Sequence, residues 1–383
     1  MIITFVSNFL NHHQLVLCNA LKELCDEFYF VSTSRIPKER LAFGYKEFDY
    51  EYDFVVRTYD GSAEKGKVRE ILEKSDAVIF GACPDSFIEY RMKLNKLSFL
   101  FSERFFKKGL WRRFYPPTRE KVEKRILRFK DKNIYVLCAS AFLANELSLL
   151  DFPAEKCYKW GYFPQTDSFD VYPERHNNKL KILWAGRMID WKCADTALKA
   201  CSNLKKSGVD FQLEFIGDGE CSESLKSLSR KLNLSDQVSF SGSKPSEEVR
   251  EAMADADIFL FTSNFREGWG AVLNEAMSCG CAVLASSAAG SVPFLIKDGE
   301  NGLIYKYGSQ SDFNKKLRIL AEDKEKRELL GKNAIDTIKN VYSADVAAKR
   351  LVEFIENDGK APCGILEGPM SEAEIIKNNW YRK

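Results

Sequence analysis

The stretch FREGWGAVLNEAMSCGCAVLAS, residues 265–286, places two glutamates around a pair of glycines. Glu267 stands just before Gly268 and Gly270, and Glu275 follows Glu267 by eight positions. The apolar run DIFLFTS comes before this stretch, and the apolar run CAVLAS closes it. This pattern predicts a strand, a glycine-bearing loop, a short helix and a second strand. In an open parallel sheet, such a loop lies at the edge where ligands bind.

Short apolar runs alternate with helical patterns along the whole chain, in two series. The first series runs through IITFVS, FYFVSTS, DAVIFGA, LSFLFS and NIYVLCAS, and the second through LKILWAG, FQLEFIG, QVSFSG, DIFLFTS, CAVLAS and NGLIY. Apolar runs separated by helices indicate parallel strands that are covered on both faces.

The length of 383 residues is too great for one ordinary core. We therefore predict an α/β protein with two doubly wound, Rossmann-like domains, residues 1–165 and 166–343. The segment 159–178 has no periodicity and is interpreted as the linker. Residues 344–383 are expected to form helices that pack back on the first domain.

The composition excludes several classes of protein. The net charge is +2, which gives no global signal for binding a polyanion. The eleven cysteines form no C-x-x-C pair, which favours reduced thiols in the cytoplasm, and three histidines are too few for a histidine-rich metal site. The first residues read as a buried strand rather than a signal peptide, and no apolar run has the length of a membrane span.

The glutamates and glycines of the opening stretch together suit a sugar-nucleotide ligand. Glycines let the backbone approach a ligand closely, and the free N–H groups at a helix start, in the stretch that contains Trp269 and Ala271, favour a phosphate. Glu267 lies where it can accept hydrogen bonds from hydroxyls, and Glu275 can reach a second pair of hydroxyls such as a ribose. The alternative is that both carboxylates are solvated surface groups.

The segment EGWGAVLNEAMSCG, followed by AVLASSAAGSVPFLIKDGENGLIY, resembles the donor site of the retaining family 4 glycosyltransferases, which have the GT-B fold. The resemblance covers most of residues 180–355 and is only architectural over residues 1–165. It implies a hexosyltransferase-type enzyme that moves a sugar, with retention of configuration, from a nucleotide-sugar to a saccharide or lipid-linked acceptor. Uridine is the base expected from the family, and a cleft between the domains is expected to hold both substrates.

The resemblance also implies a biological setting. Family 4 enzymes of this type assemble polysaccharides and glycolipids, so the chain is expected in the cytoplasm, peripheral at the inner face of the plasma membrane. No cofactor is expected, because the nucleotide-sugar is a substrate.

Two cations follow the first strand of the second series. The segment LWAGRMIDWK provides Gly186, Arg187 and Lys192, and cations five residues apart suit two phosphates approached from opposite sides. The resemblance implies that they clamp the diphosphate. Gly217, in EFIGDGE, belongs to a dinucleotide-type turn whose third glycine is replaced by Ser222, and in the family such a turn lines the nucleotide cleft. Read alone, Arg187 and Lys192 are more typical of surface cations, and the glycine turn is more typical of a plain strand–helix turn.

The acidic pair Asp255 and Asp257 mimics the metal-binding Asp-x-Asp motif of another glycosyltransferase fold. It precedes its predicted strand, so it should lie at the edge opposite the ligand. We therefore expect transfer without a metal, in which Arg187, Lys192 and the helix start stabilise the departing phosphate.

The first domain is expected to hold the acceptor. The loop after the first strand carries Asn11, His12 and His13, which can bind an acceptor hydroxyl or phosphate, although an ordinary helix-entry histidine explains the pattern equally well. Relatives often carry a histidine after the strand LSFLF, where this chain has Glu103, so Glu103 is a candidate catalytic replacement. The alternative is a buried structural pair between Glu103 and Arg104.

Residues 104–132 hold twelve Lys or Arg against three acidic residues, with Phe105, Phe106, Trp111, Phe114 and Tyr115 interleaved. Val122, Ile126 and Phe129 fall on one helical face. Basic charge with aromatic residues suits an anionic membrane surface or a lipid-diphosphate acceptor. No nucleic-acid recognition motif accompanies the segment. The alternative is a solvated basic helix packed on its own domain.

Two other functions share these residues. A nucleotide-sugar epimerase with the same fold would turn over without an acceptor. An inactive, sugar-nucleotide-binding partner subunit is disfavoured, because both cations and both glutamates are present. A nicotinamide dehydrogenase is disfavoured by the incomplete glycine fingerprint.

Overall fold

The computed structural model describes residues 1–42, 46–165, 172–173, 175, 179–360 and 364–382. The chain divides into two compact units, one formed by Met1–Gln165 with Val341–Lys377 and the other by Thr166–Asn340 with Asn378–Lys383. Most of the second half of the predicted linker, residues 166–171, 174 and 176–178, lies outside the described residues.

The first unit is built on a parallel sheet of seven strands, in the order β3-β2-β1-β4-β5-β6-β7. Its strands are β1 Ile2–Ser7, β2 Glu27–Ser32, β3 Val55–Arg57, β4 Ala77–Phe80, β5 Ser98–Ser102, β6 Ile134–Cys138 and β7 Cys157–Lys159. Its helices are α1 His12–Leu24, α2 Lys38–Ala42, α3 Ser62–Lys74, α4 Asp85–Leu94, α5 Pro116–Arg125, α6 Leu143–Ser148 and, from the end of the chain, α14 Ala344–Glu356.

The second unit is built on a parallel sheet of six strands, in the order β10-β9-β8-β11-β12-β13. Its strands are β8 Leu180–Ala185, β9 Phe211–Ile216, β10 Val238–Phe240, β11 Ile258–Phe261, β12 Ala282–Ser286 and β13 Leu303–Tyr305. Its helices are α7 Ala194–Lys206, α8 Ser222–Lys231, α9 Ser246–Asp255, α10 Val272–Ser278, α11 Val292–Leu295, α12 Gln310–Glu322 and α13 Lys324–Asn340.

Helices cover both faces of each sheet, which explains the unbroken apolar runs. Every residue of β4, β11 and β12 is buried, so neither face of these strands meets solvent. In the first unit, Phe354 of α14 packs edge-on against Phe99 of β5 and Tyr135 of β6, with ring centroids 5.6 and 5.1 Å apart. Each strand order changes direction beside its first strand, which is the place where doubly wound sheets form their ligand crevice.

The predicted strands are confirmed, and the structure adds two that the sequence pattern did not indicate. All eleven predicted runs contain a strand. The added strands, β3 and β7, have three residues each and form the two edges of the first sheet. Such short edge strands bury too few residues to leave a clear apolar period in the sequence.

The end of the chain differs from the expected set of helices. After α14, residues 364–382 form no further helix. This segment instead adds to the first unit by backbone contacts: Met370 N–H donates to Lys159 O at 2.9 Å, and Glu372 forms an antiparallel bridge with Tyr158. The last residues, Asn378–Lys383, belong to the second unit.

In the described part of the chain, no helix combines the length and the apolar character that crossing a bilayer requires.

Candidate functional site

The loops that follow β8 and β11 carry the predicted donor-site residues at the carboxyl edge of the second sheet. These two strands are neighbours in the sheet, so their following loops lie side by side. Two hydrogen bonds join the loops: Thr262 donates through its hydroxyl to Lys192 O at 2.6 Å, and Asn264 N–H donates to Trp191 O at 2.9 Å. The Trp184 indole N–H, in turn, donates to the Thr262 hydroxyl at 2.9 Å. Both loops are therefore anchored to the strands.

Lys192 and Glu267 form an ion pair across these two loops. The Lys192 ammonium contacts Glu267 Oε2, and the Ser263 hydroxyl donates to the same oxygen at 2.9 Å. The two charged side chains are only 14% and 13% exposed, so their mutual attraction is stronger than that of a surface pair. The sequence analysis placed these two residues in one site but did not predict that they touch. It also missed Ser263, although this serine follows Thr262 at the end of β11.

Arg187 remains at the surface of the same edge. Its guanidinium lies over the Trp191 ring at 5.7 Å, and the Arg266 guanidinium lies over the same ring at 4.4 Å. Arg266 also pairs with Asp190 at 3.3 Å. The loop after β8 thus presents an exposed cation, Arg187, close in the chain to the partly buried cation of Lys192.

Gly217 is required by a contact within the protein. Its φ of +126° lies in the region that favours glycine, and a Cβ there would sit 1.9 Å from Gly186 O. The Gly186 N–H donates to Ile216 O at 3.0 Å, which brings the loops after β8 and β9 together. The close packing of these two loops is sufficient reason for Gly217, whereas Gly186 is favoured by its own φ of +152°.

Gly270 has a similar role at the start of α10. Its φ is +88°, and a Cβ there would sit 2.3 Å from the Phe261 ring and 3.3 Å from Cγ of Glu267. The glycine therefore lets the loop fold back over the end of β11 and sets the position of Glu267.

Trp269 is fully buried and stabilises the turn from inside. Its indole N–H donates to Asn274 Oδ1 at 2.9 Å, and its carbonyl accepts a hydrogen bond from the Ser291 hydroxyl at 2.7 Å. Any contact of Trp269 with a ligand must therefore come from its backbone. The adjoining Gly268 is buried as well, and Ala271 is partly buried before the first turn of α10.

Glu275 occupies the second turn of α10, which has seven residues. Burial raises the pKa of the Glu275 carboxyl from its ordinary value of 4.5 to about 7, and the charge of Arg250 opposes this shift. No hydrogen bond to the carboxyl group forms among the described residues. A carboxylate in this setting gains strongly from hydroxyl donors supplied by a ligand.

In the first unit, Asn11 caps α1 and brings the two histidines together. The Asn11 Oδ1 accepts a hydrogen bond from His13 N–H at 3.0 Å, and the rings of His12 and His13 are 3.9 Å apart. Burial lowers the pKa of His13 well below 6.5, and the charges of His12 and Arg40 add to this effect. A neutral imidazole can bind a hydroxyl, but it offers no charge to a phosphate.

Glu103 follows β5, at the carboxyl edge of the first sheet, and pairs with Lys107 on the next turn. The alternative expectation of a Glu103–Arg104 pair is wrong. Arg104 instead forms a fully buried pair with Glu146, where its Nε donates to Oε1 at 2.8 Å. The two residues are 42 positions apart, so no local spacing in the sequence could have indicated this pair.

The Asp255–Asp257 motif lies at the edge of the second sheet where the sequence predicted it, opposite the candidate donor site. The Lys181 N–H donates to Asp257 Oδ2 at 2.8 Å, and the Lys181 ammonium pairs with Asp255. Both contacts lie at the amino ends of β8 and β11, away from the loops that carry Glu267. Among the described residues, no group of three or more histidine, cysteine or acidic side chains is placed to hold a metal ion.

Residues 167–337 match the protein family described as Glycosyl transferases, group 1. The matched segment lies within the second unit. It contains every residue of the second unit that the sequence analysis proposed for the donor site.

Curated proteins that match this chain are named as glycosyltransferases. An uncharacterized glycosyltransferase of Methanocaldococcus jannaschii is 29% identical over 184 residues, covering 48% of this chain and 46% of that protein. The amylovoran biosynthesis glycosyltransferase of Erwinia amylovora is 28% identical over 244 residues, covering 62% and 60%. A putative colanic acid biosynthesis glycosyltransferase of Escherichia coli is 27% identical over 183 residues, covering 46% and 45%. The chain spans about half the length of these curated relatives.

Solved structures extend the similarity to both units. HepE from Anabaena, in complex with UDP, has a TM-score of 0.72 at 15% identity and covers 93% of this chain and 100% of its own. The apo form of the lipopolysaccharide outer core galactosyltransferase WaaB has a TM-score of 0.68 at 19% identity and covers 94% and 100%. At these identities the likeness concerns the fold. The expected GT-B class, with two Rossmann-like parallel sheets, is confirmed.

Proposed function

We propose that this chain transfers a sugar from a UDP-sugar to a saccharide or lipid-linked acceptor, with retention of anomeric configuration, in polysaccharide or glycolipid assembly. The observation that carries the proposal is the Lys192–Glu267 pair, partly buried at the carboxyl edge of the group 1 domain and held by Ser263. A cation and an acceptor of hydrogen bonds in one small polar cluster suit a phosphate joined to a sugar.

Arg187 and Lys192 are assigned to the diphosphate. Arg187 is exposed and free to move onto a ligand, whereas Lys192 is held in place by Glu267 and Thr262. The backbone N–H groups at Gly270 and Ala271 precede the first intrahelical donor of α10 and are available to the same phosphates.

The two glutamates are assigned to the two sugar rings of the donor, the transferred sugar and the ribose. Glu267 binds hydroxyls of the transferred sugar, because it lies beside the cation that would hold the adjoining phosphate. Glu275 binds the ribose diol, because its carboxyl group forms no hydrogen bond with the residues that the structure describes and gains from one.

In the proposed reaction, the bond between the anomeric carbon and the β-phosphate oxygen breaks, and its electron pair stays on the phosphate. The acceptor hydroxyl attacks the same face of the sugar and forms the new C–O bond. Its proton passes to the departing phosphate oxygen, so the products are the glycoside and UDP. Arg187, Lys192 and the start of α10 stabilise the negative charge that develops on the phosphate, and no metal ion is required.

The proposals for the donor and for the biosynthetic process are supported by similar proteins. HepE crystals contain UDP and UDP-glucose, and this supports uridine as the base. Two relatives are described by their part in amylovoran and colanic acid biosynthesis, which supports a polysaccharide product. We further propose that the chain acts in the cytoplasm, peripheral at the inner face of the plasma membrane, as the family resemblance implies.

The acceptor is assigned to the first unit. Asn11, His12, His13 and Glu103 all follow strands of its sheet at the carboxyl edge. The neutral His13 is suited to an acceptor hydroxyl. Glu103 is the candidate for contact with the transferred sugar.

The deciding experiment is a panel of nucleotide-sugars scored by thermal unfolding, followed by product analysis with the ligand that protects best. A ligand that binds only the folded state raises the melting temperature. We expect UDP-sugars to protect, the anomeric configuration of the product to match that of the donor, and EDTA to leave transfer intact. Sugar inversion without an acceptor would instead identify an epimerase, and binding without turnover would identify an inactive partner subunit.

A further inference from the structure

We propose that residues 108–115, here called the aromatic turn, dock on an anionic lipid bilayer with Trp111, Phe114 and Tyr115 in its interface. This inference names the membrane-contacting surface of the proposed transferase. It rests on the proposed function only for the biological purpose of membrane binding. The physical argument itself comes from the exposure, rigidity and charge of the turn.

Three aromatic side chains project from the aromatic turn into solvent. Trp111 is 57% exposed, Phe114 is 69% exposed and Tyr115 is 42% exposed. They lie in the five-residue 3₁₀ turn Leu110–Phe114 and at its end, Tyr115. Large aromatic residues grouped at the surface in this way mark interaction sites more often than ordinary surface.

The turn is mounted on a rigid base. Phe106, just before it, is 1% exposed, and its N–H donates to the buried Glu146 carboxylate at 2.9 Å. The Gly109 N–H donates to Phe106 O at 2.8 Å, and the Trp111 indole N–H donates to Lys108 O at 3.1 Å. The aromatic rings are thus presented by an ordered backbone, which reduces the entropy lost on docking.

Guanidinium groups lie directly against the exposed rings. Arg112 lies 4.9 Å from the Trp111 ring and 4.8 Å from the Tyr115 ring, and Arg113 lies 4.6 Å from the Phe114 ring. An aromatic body with a cation beside it matches the boundary between lipid chains and anionic headgroups.

Several cations around the turn are available to headgroups. In the described part of the chain no acidic side chain pairs with Lys108, Arg112, Arg113, Arg119 or Lys121. By contrast, Arg125 is used internally: it pairs with Asp85 at 2.8 Å and donates to Cys83 O at 2.8 Å. The charge that can attract an anionic surface is therefore concentrated at the turn and at the exposed side of α5.

The helix α5 itself does not supply the apolar contact. Val122 and Ile126, which the sequence placed on an apolar helical face, are fully buried against their own unit. Within residues 104–132, all of which the structure describes, the exposed large apolar side chains are those of the aromatic turn.

A lipid surface fits the turn better than nucleic acid does. Single-stranded nucleic acid binds aromatic residues by stacking bases on free ring faces. A guanidinium already covers one face of each of the three rings. Insertion into a lipid interface needs no free ring face.

The test measures binding of the full-length protein to phosphatidylcholine vesicles with and without phosphatidylglycerol. The aromatic variant carries Trp111→Ala, Phe114→Ala and Tyr115→Ala, and Leu366→Ala, which changes a residue that is 87% exposed, is its control. The charge variant carries Lys108→Gln, Arg119→Gln and Lys121→Gln. Its control, Lys206→Gln with Lys231→Gln and Lys315→Gln, makes the same charge change on exposed lysines of the second unit. Lys107 is left intact because it pairs with Glu103.

We expect wild type and both controls to bind only the vesicles that contain phosphatidylglycerol. Each test variant should lose about tenfold or more in affinity, because apolar burial and surface charge both contribute. Lipids brominated in their acyl chains should quench the fluorescence of wild type, and Trp111→Phe should abolish the quenching. Equal binding to both kinds of vesicle, unchanged binding of the aromatic variant, or binding without quenching would overturn the proposal. Stronger retention by single-stranded RNA than by the vesicles would overturn it as well.

Failure of this inference is separable from failure of the proposed function. Protection of the protein by UDP against thermal unfolding should be the same in wild type and in the aromatic variant. If wild type fails to bind the anionic vesicles but is protected by UDP, only the docking surface is refuted. Vesicle binding without protection by any nucleotide-sugar refutes only the transferase.

Discussion

Glu275 gives a test of the donor site that depends on pH. Its carboxyl group has a pKa of about 7, because Glu275 is partly buried on α10, which disfavours the charged form, and no hydrogen bond to it forms among the described residues. A ribose diol donates two hydrogen bonds, and the ionised carboxylate accepts both, whereas the protonated carboxyl group does not. UDP should therefore bind the ionised form and lower the pKa of Glu275.

The size of the effect follows from this pKa. Near pH 6 about one tenth of the ligand-free protein carries an ionised Glu275, so the apparent affinity for UDP should be about tenfold weaker than its plateau above pH 7. Binding in that range should release up to one proton. Glu275→Gln removes the titration of this side chain, so UDP should bind this variant more weakly, and its affinity should depend less on pH than that of wild type, because only the terminal phosphate of UDP still titrates in this range.

The same pKa predicts an opposite effect on stability. A carboxyl group whose pKa is raised by folding favours the protonated form in the folded state, so its ionisation opposes folding. The penalty is absent below the unfolded pKa of about 4.5, grows as the pH rises, and reaches about 3 kcal/mol above pH 7. Without ligand, Glu275→Gln should be more stable than wild type at alkaline pH, and the difference should vanish in acid.

Calorimetry in buffers of different ionisation enthalpy measures both the UDP affinity and the proton release. Denaturant unfolding of the ligand-free protein across the pH range measures the stability. Glu251→Gln, which changes an exposed glutamate, is the control and should alter neither quantity. A UDP affinity that is equal near pH 6 and pH 8, with no proton released, would refute the assignment of Glu275 to the ribose.

Three further predictions concern the remaining site residues and the end of the chain. Arg187→Ala and Lys192→Ala should each weaken UDP binding by about 1.5–3 kcal/mol. Only Lys192→Ala should also lower the melting temperature, because it removes the partner of Glu267. Unchanged UDP affinity in both variants would contradict the assignment of these cations to the diphosphate. Glu267→Ala should bind UDP about as well as wild type while transfer falls roughly a hundredfold or more, and near-normal transfer in product analysis would exclude its role at the sugar. Tyr381→Phe removes a hydroxyl bonded to Asp298 at 2.9 Å and should lower the stability of the second unit by about 1 kcal/mol, which a denaturant titration can detect.

The architecture of this protein could be predicted from the sequence because it rests on local patterns. Runs such as those of β4 and β11 are apolar throughout, so each run identifies a buried strand, and the helices between them require a parallel sheet. The stretch around Glu267 and Glu275 was readable for the same reason: the strand, the glycines and the helix follow each other directly in the chain.

The partners of the charged residues could not be predicted, since they come from distant parts of the chain. Lys192 meets Glu267 across 75 positions, and Arg104 meets Glu146 across 42. The sequence placed Arg104 beside Glu103, which is its neighbour in the chain, but the fold turned the two side chains toward different partners.

Burial was also decided only by the tertiary structure. The sequence indicated that Trp269 lies in the binding loop and that Val122 and Ile126 share a helical face. Packing placed all three inside the protein, and left Trp111, Phe114 and Tyr115 outside. A period in the sequence specifies which residues share a face, whereas the elements that pack against this face determine whether it meets solvent.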